Sequence, residues 1–191
     1  MDIKQYADDY MARLRTAIGQ ITPEDLGRIA DILQEAYDEE RTVFIIGNGG
    51  SAATAAHFAC DLGKGTAVEG RPRFRVQSPV DSTSLITALA NDLGYEKIFV
   101  EQLKGRCRKG DVLIAISVSG NSPNVVEAVR YAREAGMTTI GLAGRDGGAL
   151  AGLVDEAIVI REDHFGIVED CHLIIEHIVS FFFKQKIASS P

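Results

Sequence analysis

The sequence predicts an α/β fold: a three-layer sandwich with a parallel sheet flanked by helices, plus an N-terminal helical pair. Three observations lead there. Short β-branched runs alternate with longer segments of helical period. Those runs are apolar at nearly every position, the mark of strands covered on both faces. Two of them end in glycine- and serine-rich loops that open helices, a connection used by βαβ units.

Residues 3–19 and 24–40 read as amphipathic helices. Thr22-Pro23-Glu24-Asp25 starts the second with a capping hydroxyl, a proline suited to the first turn, and two acids at the positive end of the helix dipole. Residues 42–47 (TVFIIG) form a buried strand, 51–62 a helix, 73–77 a weaker strand, and 82–90 and 97–106 helices. Residues 111–117 (DVLIAIS) are the second strong strand, and 121–135 a helix closed by Gly136. Residues 138–143 and 157–160 are further strands, and a last helix runs from about 167 toward 186. No repeat or low-complexity tract divides the chain. Residues 1–191 therefore read as one domain, with 1–40 a helical extension and 41–191 the α/β core. The apolar stripes of the first two helices suit packing on their own domain or on another subunit.

Composition narrows the function. Hydrophobic residues make up 46 % and charged residues 25 %, which suits a folded globular chain. The net charge of −7 argues against nucleic-acid and anionic-membrane binding, both of which need basic surface. It leaves room for a phosphorylated ligand, which a few backbone N–H groups can hold locally. The cysteines, Cys60, Cys107 and Cys171, have no CxxC spacing, and Cys60 and Cys171 are expected as buried small residues. Met1 to Gln5 lacks the apolar core of a signal peptide, and Glu176, His177 and Lys184 interrupt the last apolar stretch. A cytoplasmic location is expected.

Two loops carry the functional signal. Gly47-Asn48-Gly49-Gly50-Ser51 joins a strand to a helix, with glycines that permit close backbone approach and a serine near a helix N-terminus. It matches neither GxGxxG nor a Walker A loop. The second, Ser117-Val118-Ser119-Gly120-Asn121-Ser122, again lies between strand and helix and offers three hydroxyls. Either loop alone could be a plain turn. Two together, at the carboxyl ends of parallel strands, point to an anion site.

The pair GNGGSA…SVSGNS resembles the sugar isomerase (SIS) domain family. The resemblance extends to Ala90-Asn91-Asp92, to residues 144–152 (GRDGGALAG) and to His164-Phe165-Gly166. Within that family it is similar to the phosphoheptose isomerases. This implies interconversion of sedoheptulose 7-phosphate and D-glycero-D-manno-heptose 7-phosphate, in a homotetramer with active sites between subunits. It implies contacts to substrate from Asn48, Gly49, Gly50, Ser51, Asn91, Asp92, Ser117, Ser119 and Ser122. Another phosphosugar isomerase of the same fold, or a non-catalytic member binding a sugar phosphate or a protein partner, are the alternatives; the presence of His57 and His177 favours catalysis.

Aldose–ketose isomerisation needs a base for a carbon-bound proton, an acid for the oxygens, and stabilisation of an enediolate. His57 and Asp61 are four apart on one helix and share a face. The last helix carries Glu169, His172, Glu176 and His177; His172 reads as a core residue. The resemblance implies that His57, Asp61, Glu169 and His177 act together and can hold zinc, one per site, with Asp61, Glu169 and His177 catalytic. Asp61 stands where the family has Glu and Glu169 where it has Gln, so the base is Asp61 or Glu169. Glu169 and His177, eight apart, lie about 80° apart on an ideal helix. They converge only if Glu169 stands at the helix start.

Overall fold

The structure is a computed structural model and describes residues 2–189; Met1, Ser190 and Pro191, at the limits of the 1–191 domain, lie outside them. The first helices are α1 (Ile3–Ile18) and α2 (Pro23–Asp38). As the sequence indicates, the Thr22 hydroxyl caps α2 by accepting from the Asp25 N–H at 3.1 Å. Among the described residues five strands follow in the order expected: β1 (Thr42–Gly47), β2 (Arg75–Gln77), β3 (Val112–Ser117), β4 (Thr138–Gly144) and β5 (Glu156–Ile160). They form one sheet in the order β2-β1-β3-β4-β5, and every pairing is parallel.

The unbroken apolar strands are explained by a core on each face. Val43, Ile45, Ile114 and Ile116 point to one side, against α1, α2, α3 (Gly50–Cys60) and the long α8 (Phe165–Ser189). Phe44, Ile46, Leu113 and Ala115 point to the other, with α5 (Val100–Lys104) and α6 (Pro123–Glu134). α4 (Thr83–Leu93) and the short α7 (Gly148–Ala151) complete that layer. α7 has no counterpart in the sequence reading, because its glycines hide a single turn. The reading of 97–106 as one helix splits into a 3₁₀ turn, Tyr95–Lys97, and α5.

Sequential connections reverse direction between β1 and β3, which lie side by side. In open parallel sheets the crevice at that reversal is where ligands bind. Both candidate loops leave the carboxyl ends of those two strands. α3 continues into a π-helical turn, Asp61–Gly65, closed by the Thr66 N–H on the Asp61 carbonyl at 3.0 Å. Single π turns recur at functional sites.

Two details bear on the sequence reading. Cys171 is buried, but Cys60, the last residue of α3, is exposed, because it borders an open depression with Gln77 and Arg106. His172 is fully buried, as expected for a core residue, with Nε2 donating to the Ala143 carbonyl at 3.2 Å. Burial pushes its pKa down to about 4, against the opposing effect of that hydrogen bond, so the ring is neutral.

Candidate active site

The two loops line a common pocket of about 240 Å³ with Asn48, Ser51, Ser117, Ser119, Ser122, Arg145 and Phe165. Its hydroxyls are not used as helix caps. Ser51 lies in the first turn of α3, whose N-cap is Gly49 at φ +55°, and no side chain caps that helix. Ser122 holds the N-cap position of α6 without capping it, and its Oγ lies 3.2 Å from Ser117 Oγ instead. Hydroxyls gathered at two helix N-termini, with no capping role, are the chemistry that receives phosphate oxygens. Ser119 Oγ accepts from the Asn121 N–H at 3.2 Å and keeps its own proton to donate.

Asn48 locks the loops together. Its side-chain amide and that of Asn124 exchange hydrogen bonds of 2.8 and 2.9 Å, and Tyr95 donates to Asn48 Oδ1 at 3.0 Å. Asn48 therefore shapes the pocket wall as a positioning residue. Asn91 and Asp92 sit exposed at the end of α4, bonded to each other at 2.8 Å, and are not among the pocket's lining residues.

Arg145 supplies a positive charge that the sequence reading did not single out. It lines the pocket with the serines and holds φ +56°, a left-handed conformation unfavourable to a side chain. Backbone strain of this kind persists where the surroundings enforce it and marks functional positions. Its sequence signal is a bulky residue directly after a strand-ending glycine, in Gly144-Arg145-Asp146-Gly147-Gly148.

A second centre lies where α3 packs along α8. His57 Nε2 is 3.6 Å from Asp61 Oδ2, and the His57 and His177 rings meet edge to face with centroids 5.1 Å apart. One ligand atom from each of His57, Asp61, Glu176 and His177 lies within 4.8 Å of all the others. The two imidazoles are partly exposed and Asp61 less so, while Glu176 has no exposed surface. Burial raises the Glu176 pKa and the Asp61 charge adds to this; the two histidines and Ser180 act the other way. Two imidazoles with two carboxylates suit a divalent cation.

Within one subunit three of the four residues expected together converge, and Glu169 stands apart from them. α8 begins at Phe165, so Glu169 is already within regular helix, where its direction is fixed. Its carboxylate lies against Gly50 at the loop end of α3, in the space a side chain there would fill. Seven residues, about 10 Å of helix rise, separate Glu169 from Glu176. Burial, with the Asp170 charge, raises the Glu169 pKa. Glu176 was visible in the sequence only as a lone acid inside the apolar run Leu173-Ile174-Ile175-Glu176-His177-Ile178-Val179.

A larger depression at the opposite end of the sheet is lined by Arg41, Arg75, Arg106, Arg108 and Asp111. It lies at the amino ends of the strands, and both Asp111 oxygens there already accept backbone N–H groups, from Thr42 and Arg108.

The SIS domain family model matches residues 5–144. A phosphoheptose isomerase of Bradyrhizobium is 39 % identical over 171 residues, covering 90 % of this chain and 86 % of the relative. A probable phosphoheptose isomerase of Thermoplasma acidophilum is 36 % identical, covering 97 % of this chain and 100 % of its own. The solved structure of a phosphoheptose isomerase from Neisseria gonorrhoeae superposes with a TM-score of 0.89 at 29 % identity, covering 96 % of this chain and all of that one.

Proposed function

The chain belongs to the SIS domain family and to the phosphoheptose isomerases within it, and on that premise we propose that it interconverts sedoheptulose 7-phosphate and D-glycero-D-manno-heptose 7-phosphate through an enediol. The observation that carries this is the meeting of His57, Asp61 and His177 from two distant helices, on a fold that also builds a hydroxyl-lined anion pocket.

In this reading Ser51, Ser117, Ser119 and Ser122 bind the phosphate, and Arg145 offsets its charge. The Asp61 carboxylate removes a proton from C1 of the open-chain ketose and returns one to C2. His177 takes the proton from O1 and delivers one to O2, which completes the aldose. Glu169, at the loop end, is placed to orient the sugar. The chemistry of His57, Asp61 and His177 supports their holding a divalent cation, zinc by donor type. When bound, such a cation would polarise the carbonyl oxygen.

A homotetramer with sites shared between subunits is part of the proposal. Ser51 and Asp61 are ten residues apart, about 15 Å of helix rise. Six carbon–carbon bonds and the C–O and O–P bonds of the ester, each about 1.5 Å, give a contour of about 12 Å from C1 to phosphorus. That mismatch supports a phosphate pocket and a reacting centre contributed by neighbouring subunits. Exposed Ile178, Phe181 and Phe182 on α8 offer apolar surface for the contact.

Incubation with a panel of ketose phosphates, with product separated by chromatography, tests the substrate. Conversion of sedoheptulose 7-phosphate ahead of five- and six-carbon ketose phosphates is expected. Preference for a shorter ketose would move the assignment to another phosphosugar isomerase.

A further inference from the structure

Strand β2 stands at the edge of the sheet, and two depressions meet along it. One is the arginine-lined depression at the amino ends of the strands. The other, of about 470 Å³, is lined by Asp81, Ser82 and Gln102 beside Cys60. Val76, Gln77 and Arg106 line both, so the two form one cleft. It shares no lining residue with the serine pocket.

The two ends of the cleft differ in chemistry. Arg106 stands at the junction, with Arg75 and Arg108 on the side of the larger depression. Arg75 donates to the Glu40 carbonyl at 3.3 Å. Among the described residues none of these three guanidiniums has a carboxylate partner. The acids around them are largely engaged: Asp111 with two backbone N–H groups, Glu39 with Arg41 at 3.0 Å, and Asp38 with Gln34. The other end presents acceptors. Gln102 is only 4 % exposed. Its amide nitrogen donates to the Pro79 and Ile98 carbonyls, both at 2.9 Å, and its Oε1 has no donor. A buried amide oxygen without a donor is costly, and such groups normally have a partner. The exposed Asp81 carboxylate lines the same end.

We propose that this cleft is a second ligand site, for a phosphorylated polyol. Its phosphate lies between Arg106, Arg75 and Arg108, and its hydroxyls donate to Gln102 Oε1 and to Asp81. The guanidinium fork matches phosphate oxygens, which gives the anionic end. Acceptors at the other end call for a ligand rich in hydroxyl donors. No aromatic ring lines the cleft, so nothing there stacks a nucleotide base. The volume falls within the range of about 300–1,000 Å³ usual for small-molecule sites. The inference does not rest on the isomerase reading, because binding here involves no reaction.

The test uses glucitol 6-phosphate, which has no carbonyl and cannot isomerise. Calorimetry on the full chain carrying Ser117→Ala and Ser119→Ala, which disable the serine pocket, should still show one molecule bound per chain. Adding Arg106→Gln should weaken that binding by at least about tenfold, as expected for a charged donor lost from phosphate. Adding Gln102→Met, which keeps the length and removes the acceptor, should weaken it by about three- to tenfold. Hexyl phosphate, with the same charge and no hydroxyls, should bind more weakly by a similar factor, and that comparison needs no Gln102 variant to fold. If the serine variant does not fold, the unaltered protein takes its place and should bind two molecules per chain. Arg106→Gln alone should leave the KM for the converted ketose phosphate within about twofold, since a lost phosphate contact would raise it by tenfold or more. Binding that vanishes with the serine pocket, a single molecule per chain in the unaltered protein, or unchanged affinity in Arg106→Gln overturns the proposal. Equal binding of hexyl phosphate overturns it too, and so does a strongly raised KM in Arg106→Gln, which would assign Arg106 to the reacting site.

Discussion

The His57 and His177 rings stand nearly perpendicular, at 82°, with centroids 5.1 Å apart, although one belongs to α3 and the other to α8. The contact places an imidazole that can carry a proton beside the carboxylate that can take one from carbon. His177→Ala is therefore expected to lower kcat by about 10²- to 10⁴-fold, the range typical of a lost general acid–base. Binding of the sugar phosphate should stay within a few fold, because the phosphate pocket lies elsewhere. Steady-state kinetics alongside calorimetric binding measures both, and wild-type turnover in the variant would remove His177 from the mechanism.

Arg145 joins a strained backbone to a binding role. Removing a charged donor from phosphate is expected to cost about 1.5–3 kcal/mol, or roughly 10- to 100-fold in KM. Arg145→Gly should show that loss together with unchanged or slightly raised stability. Relief of about 1–2 kcal/mol of left-handed strain outweighs or balances the 0.5–1 kcal/mol roughly lost to glycine's freedom. Denaturant melts and KM values for the same variant test the two halves; a normal KM would exclude Arg145 from phosphate binding.

His172 makes stability depend on pH. Its pKa falls from 6.5 to about 4 in the fold because burial disfavours the charged ring. The unfolded chain therefore binds the proton first as pH falls, and about 3 kcal/mol of stability is expected to be lost between about pH 6.5 and 4. His172→Gln keeps a side-chain donor for Ala143 and should flatten that part of the profile. Urea melts of both proteins across this range measure it, and parallel profiles would contradict the assignment.

Phe182 is 46 % exposed on α8, near an apolar groove lined by Leu26, Ala30 and Ile178. Phe182→Asp is expected to shift the assembly toward smaller species at micromolar concentration. Light scattering reports the mass, and a monomeric unaltered protein would rule out the shared-site arrangement.

Much of this was legible in the chain. Strands covered on both faces leave unbroken apolar runs, so β1, β3 and β4 stand out, and the loops after β1 and β3 declare themselves by glycine and serine. The site itself was less legible. Bringing Glu169 to His177 required Glu169 to stand at a helix start, and reading that start near 167 left the option open. α8 begins two residues earlier, at Phe165, and regular helix geometry then directs Glu169 to Gly50. Glu176 was inconspicuous because only the packing of α3 along α8 reveals that a lone acid in an apolar run faces two histidines. Arg145 was missed because its left-handed φ depends on tertiary contacts.

Proton NMR of sedoheptulose 7-phosphate incubated with the protein in deuterated water tests isomerisation through an enediol most directly. The expected result is an aldose heptose 7-phosphate carrying solvent deuterium at C2, with loss of a C1 proton from the remaining ketose. An unchanged ketose that retains both C1 protons would contradict the account.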